Sequence, residues 1–159
     1  MSSHKPTFSP ESILRSARSV LLVDWPSTKV PRALIEAGLL VFGYAPHHYS
    51  KAELVFDHSA AADSKNVFPL EAEEDKEFLV FNRLASRPAR VDIVSVYRPA
   101  AELPGILEEQ VLPLGATAVW LQRPVACAEE RCLVEQHGLM LIENCDIAQI
   151  ARKLRGQKS

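Results

Sequence analysis

The sequence predicts an α/β fold of the doubly wound class, a mainly parallel five-stranded sheet with helices on both faces. Three observations predict it. Five short apolar runs recur along the chain: Val20 to Val23, Leu39 to Phe42, Ile93 to Val96, Ala118 to Leu121 and Leu139 to Ile142. Each is strand-length and apolar on successive residues, as expected of strands covered on both faces. The segments between them carry helical periodicity and helix-stop signals, so the order strand, helix, strand repeats, as it does in βαβ units on a parallel sheet.

Each helix has its own local reason. Ser9 is a good N-cap and Pro10 a good first helical residue for a leading helix over Ser12 to Arg18. Val30 to Ala37 runs into Gly38, a natural C-cap. Glu102 to Leu112 places Ile106, Leu107 and Val111 opposite charged residues and stops at Pro113 and Gly115. Ala128 to Gln136 ends at His137-Gly138, and Asp146 to Leu154 closes the pattern.

The stretch from His47 to Arg90 interrupts this order as an insertion within a single domain spanning 1–159. It contains two more apolar runs, Leu54 to Phe56 and Phe78 to Phe81. One short extra strand is expected at Leu54 to Phe56, with an added helix or a hairpin making up the rest. Glu71 to Glu77 holds five acids against one lysine and reads as a solvated loop or helix face.

Composition narrows the function. The chain has 159 residues, 47% hydrophobic and 24% charged, enough for one domain with a full core. Eighteen Lys and Arg against twenty Asp and Glu give a formal charge of −2, with no global pull toward nucleic acid or anionic lipid. The apolar runs fall far short of the ~20 residues that cross a bilayer, and no targeting segment is evident. Three cysteines without paired spacing suit a reducing compartment, so the cytoplasm is expected.

Motifs narrow it further. Cys127, Cys132 and His137 are five residues apart on one predicted helix, about 140° of rotation each, so they share no ligand face. The chain has no G-x-S-x-G elbow, no H-E-x-x-H pair, no Walker lysine loop and no G-x-G-x-x-G turn. No catalytic constellation is present, and the expectation is a protein that is not an enzyme.

The segments ILRSARSVLLVDWPS from Ile13, ALIEAGLLVFGYAPHH from Ala33, Val91 to Gln122 and VEQHGLMLIENC from Val134 resemble the small bacterial CoA-binding proteins of the YccU-like type. These are similar in turn to the amino-terminal CoA-binding domain of succinyl-CoA synthetase and related acyl-CoA synthetases. The most specific portion is Val91 to Gln122, where a Val-Asp-Ile-Val strand runs into Tyr97-Arg98-Pro99. The resemblance leaves out the His47 to Arg90 insertion. It implies a Rossmann-like domain holding the CoA nucleotide across the carboxyl ends of its strands, where any open α/β sheet places its ligand.

Four loops would then carry the ligand. In the first, Asp24 to Thr28, the family places a glycine, a variable residue and a serine; here Asp24 stands where the first glycine belongs. A carboxylate there repels a pyrophosphate unless it is protonated or paired with Lys29 or Arg32. Trp25 sits in this loop. Ser27 and Thr28 can cap the following helix or donate to a phosphate, and Lys29 and Arg32 bring cations to its first turns. In the second, Ala45-Pro46 resembles the family's Asn-Pro, so Pro46 and Tyr44 offer a base a packing surface.

His47 and His48 make a weak metal signal, and no metal is expected. In the third loop, Tyr97, Arg98 and Pro99 offer a guanidinium fork for phosphate between apolar walls; Arg98 could equally pair with Glu102 four residues on. In the fourth, Gln122 faces the ligand's amides, with Pro124 in place of the family's glycine. Trp120 and Cys145 read as core.

Two functional readings follow. One is a stand-alone CoA or acyl-CoA binding module without its own catalysis, its cofactor coenzyme A. The other is a degenerate scaffold that no longer binds CoA and acts through protein contacts, with the acidic insertion and the basic Arg152, Lys153, Arg155 and Lys158 as surfaces. The partners expected are CoA or acyl-CoA, with no nucleic acid and no membrane; a protein partner or a homodimer stays open.

Overall fold

A computed structural model describes residues 9–44, 47–55, 67–69, 78–122, 128–143 and 145–157. Helix α1 (Pro10–Ser16) begins as its sequence predicts: the Ser9 Oγ accepts a hydrogen bond from the Ser12 N–H at 3.1 Å, and Pro10 occupies the first turn. Strand β1 (Ser19–Val23) follows and is buried along its whole length. Then come α2 (Lys29–Glu36), β2 (Leu40–Tyr44), β3 (Tyr49–Val55), β4 (Val67–Pro69) and β5 (Phe78–Arg83).

The second half restores the alternation. After β6 (Ile93–Val96), the predicted helix forms in three pieces: a 3-10 turn (Ala100–Glu102), the α-helical turn α3 (Leu103–Ile106) and a π-turn (Leu107–Val111). Strand β7 (Ala118–Leu121), α4 (Ala128–Gln136), β8 (Met140–Ile142) and α5 (Ile147–Gln157) complete the chain.

The strands form one sheet in the order β4-β5-β3-β2-β1-β6-β7-β8. Strands β2, β1, β6, β7 and β8 are parallel and correspond to the five predicted apolar runs. The sheet therefore has eight strands rather than five, because the insertion adds three antiparallel ones. The physical reason lies at β2, whose outer edge would otherwise expose unpaired N–H and C=O groups. The chain turns directly after β2 and lays β3 along it, as only an antiparallel neighbour can after so short a connection.

Of the short strand expected at Leu54 to Phe56, Phe56 lies outside the described residues, and Leu54 and Val55 are the end of β3, which starts at Tyr49. Its first half alternates, with Ser50 and Ala52 buried and Lys51 and Glu53 paired at 3.3 Å on the other face. A search for continuous apolar runs passes over such a strand. The run Phe78 to Phe81 is β5, bonded on both edges. Glu71 to Glu77 lies outside the described residues.

Alternation along the strands sorts the core. Val20, Leu22 and Trp120 face α1, α2 and α5, while Leu21, Val94 and Val119 face α3, the π-turn and α4. Helices thus cover both faces, and the carboxyl ends of β1, β2, β6, β7 and β8 lie along one edge of the sheet. The pairs Val23↔Tyr44, Val23↔Val96 and Val96↔Leu121 show how closely those strands end together. No helix among the described residues is long and apolar enough to cross a membrane.

Strand β2 contains one position that only glycine fits without displacement. A Cβ on Gly43 would lie 3.1 Å from the Cη2 and Cζ3 of Trp25. The Trp25 ring in turn stacks on Phe81 of β5, centroids 4.9 Å apart and planes within 10°. Gly43→Ala is expected to push this stack apart and to cost ~1–3 kcal/mol of stability, read as a lower denaturation midpoint at unchanged m-value.

Candidate functional site

The parallel order changes direction at β1, whose two neighbours are β2 and β6. Crevices in α/β sheets open at such a switch point, outside the carboxyl ends of the strands. Asp24, the first residue after β1, has φ +64, the left-handed conformation that glycine adopts at no steric cost. Asp24 thus holds a glycine-like conformation at the position where the resemblance implies a glycine. The side chain compensates locally: Oδ1 accepts from the Trp25 N–H at 2.9 Å.

The carboxylate's other oxygen accepts from Arg98 Nη1 at 3.2 Å, across the switch point. Asp24 thus pairs with Arg98, a partner other than the Lys29 and Arg32 weighed from the sequence. Arg32 lies 3.6 Å from Glu36 on its own helix. Arg98 also grips Glu102 with two parallel bonds, Nε to Oε1 at 3.1 Å and Nη2 to Oε2 at 2.7 Å. Hydrogen bonding to Glu102, then to Asp24, raises the guanidinium pKa further above its usual range. Each of the three guanidinium nitrogens donates to one of two carboxylates of its own chain.

Beside this triad lies a cleft of about 580 Å³, lined by Tyr44, His47, Arg98, Ile106, Glu109 and Gln110 among others. Asp24, Glu102 and Glu109 set three carboxylates against one guanidinium, so the cleft disfavours a polyanion. Gln110 is only 5% exposed, and its Oε1 accepts from the hydroxyl of Tyr49 on β3. Burial, then the neighbouring Tyr44, raises the Tyr49 pKa and keeps that hydroxyl protonated. The Tyr44 and Tyr49 rings meet at 4.9 Å.

A second cleft of about 550 Å³ opens on the other side of the β1–α2 loop, lined by Ser27, Lys29, Gln122, Cys145, Asp146 and Arg152 among others. It lies beside the first turns of α2 and α5, whose N–H groups are largely taken by their own caps, Lys29 and Val30 by Ser27 and Ala148 by Asp146, so the Lys29 and Arg152 cations are what it offers an anion. The Gln122 Oε1 accepts from the Ile147 N–H at 3.4 Å, but its Nε2 is buried with no hydrogen-bond partner. An orphaned buried amide is expensive, and a bound acceptor would satisfy it. These residues fit a phosphorylated ligand.

The predicted site residues therefore divide. Ser27, Lys29 and Gln122 share the second cleft, and Arg98 lines the first. The Thr28 side chain makes no cap bond, while the Ser27 Oγ accepts from the Lys29 N–H at 3.3 Å. Trp25 stacks on Phe81 of β5. Half-buried Tyr97 donates its backbone N–H to the Val23 carbonyl at 3.0 Å, tying the first and third loops together, and Pro99 is exposed.

Pro46, Cys127, Pro124 and Lys158 lie outside the described residues. Trp120 is fully buried and donates to the Cys145 carbonyl at 2.9 Å; Cys145 itself is half-buried at the second cleft. Among the described residues no three His, Cys, Asp or Glu side chains gather as a metal site. Sequence reasoning missed Tyr49, Glu109 and Gln110. Alternation in 49–55 was a usable signal for Tyr49, whereas Glu109 and Gln110 read as ordinary polar positions of a surface helix.

Solved structures share this fold. A Thermus thermophilus protein, cell-free ID.343, superposes with a TM-score of 0.57 at 21% identity over 90% of this chain and 94% of its own. Prb, a protein redesigned for binding, gives 0.59 at 15% identity over 96% of both chains. No curated protein matches the sequence. The family described as CoA binding domain matches residues 23–150, which include β1's last residue, all four predicted loops and, apart from Arg152, the lining of both clefts. By that match, the chain belongs to the CoA-binding domain family.

Proposed function

We propose that this protein binds coenzyme A or an acyl-CoA as a stand-alone module without catalysis of its own, on a Rossmann-like, doubly wound scaffold. The observation that carries the reading is the second cleft: Lys29, Arg152 and the unpartnered Gln122 amide line one space. Phosphates belong there, and the uncharged part of the nucleotide belongs in the carboxylate-rimmed first cleft across the β1–α2 loop. Calorimetric titration with CoA, acetyl-CoA, ATP and NAD tests this. CoA species are expected to bind in preference to ATP and NAD.

Reversing both cations, Lys29→Glu with Arg152→Glu, is expected to weaken CoA at least about tenfold, ~1.4 kcal/mol, and to flatten the salt dependence of binding. Unchanged affinity in the double variant would remove the phosphates from this cleft. The second reading, a scaffold that no longer binds CoA and serves protein contacts, is favoured by one observation: Arg98 is held by Asp24 and Glu102. Absence of CoA binding by folded wild-type protein would decide for it.

A further inference from the structure

We propose that the first cleft reads the amino edge of an adenine ring, with Gln110 as donor and Glu109 as acceptor, and that Tyr49 sets which way Gln110 faces. The inference deepens the CoA reading and rests on it.

Gln110 is the starting point because its side chain is 5% exposed yet lines a cleft, so the polar atoms it turns to that cleft are few and fixed. Its oxygen is taken by the Tyr49 hydroxyl, and its Nε2 makes no hydrogen bond among the described residues. Tyr49 reaches it from β3, a strand of the insertion, 61 residues away in sequence. With the oxygen occupied, the NH2 group is what the amide can offer a ligand.

Glu109 lines the same cleft and supplies a carboxylate acceptor beside that donor. Successive residues of an α-helix point ~100° apart, and the wider π-turn over Leu107–Val111 narrows that angle, so neighbours can share one cleft. One acceptor next to one donor complements a purine edge with an exocyclic amine next to a ring-nitrogen acceptor, the pattern by which amide side chains recognise adenine. Hypoxanthine and guanine carry an oxygen where adenine carries its amine, and that oxygen would face the Glu109 carboxylate. Tyr44 and Ile106 provide apolar walls for a flat ring.

The experiment is calorimetry with adenosine bisphosphate, its inosine counterpart and CoA, on wild type, Glu109→Gln and Tyr49→Phe, with thermal melts of each. Wild type is expected to bind the adenine form at least about tenfold more tightly than the inosine form. In Glu109→Gln, an exposed position that leaves the core intact, the new amide can donate to the inosine oxygen, and the preference should collapse to within about threefold. Tyr49→Phe frees Gln110 to turn and should lower the preference while the melt stays cooperative.

Equal binding of the two bases by wild type, or a preference untouched by Glu109→Gln, overturns the inference. CoA binding without base preference removes the inference alone. Adenine-selective binding of the bisphosphate without CoA binding removes the CoA reading and keeps the cleft assignment, and binding of neither removes both.

Discussion

Asp24→Gly is expected to tighten CoA binding at least about tenfold, ~1.4 kcal/mol, over the wild-type protein. Three consequences of the substitution point the same way. It removes a carboxylate from the mouth of the switch-point cleft, frees Nη1 of Arg98 for a polar group of the ligand, and puts the residue type that tolerates φ +64 where that conformation already exists. Stability should change little. Relief of the left-handed strain, ~1–2 kcal/mol, is offset by the greater freedom of a glycine in the unfolded chain, ~0.5–1 kcal/mol, and by loss of the Trp25 N–H bond.

The exposed pair with Arg98 adds little to that balance. A parallel thermal melt therefore separates affinity from folding. A cooperative melt with unaltered CoA affinity would show that the carboxylate does not exclude the ligand and would favour a scaffold serving protein contacts.

The second large effect concerns Trp120, the largest fully buried side chain. Trp120→Ala is expected to cost ~3–5 kcal/mol, the range for deleting a large aromatic from a packed core. For a domain of this size that lowers Tm by roughly 6–20 °C. The indole does more than fill space, since its Nε1–H holds the Cys145 carbonyl and so anchors the segment leading into α5. Because Cys145 and Asp146 line the second cleft, CoA affinity should fall together with stability. Trp120→Phe, which keeps most of the volume and loses the hydrogen bond, should retain much of the stability yet still weaken CoA. A Trp120→Ala protein with wild-type Tm would contradict the packing described.

How far the sequence reaches depends on the range of the interaction. Continuous apolar runs such as Val20 to Val23 and Ile93 to Val96 identify the five parallel strands, because a strand covered on both faces must be apolar at every position. The Ser9 cap, the proline in the first turn of α1 and the spacing that joins Arg98 to Glu102 are equally legible, since each lies within one helical turn. The order of strands and helices then locates the carboxyl edge, and with it the loops where a ligand belongs.

What only the tertiary structure decided are contacts between distant segments. Arg98 lies 74 residues from Asp24 and Tyr49 lies 61 from Gln110, and no local pattern specifies either pair. The insertion became three antiparallel strands because β2 needed its edge paired, a demand written on the neighbouring strand and not on the insertion itself. Trp25 reads in sequence only as a residue of the first ligand loop, and the strand thus added stacks Phe81 against it. Local chemistry determined the elements and the edge where ligand binds; assembly of the sheet decided which charges and amides meet there.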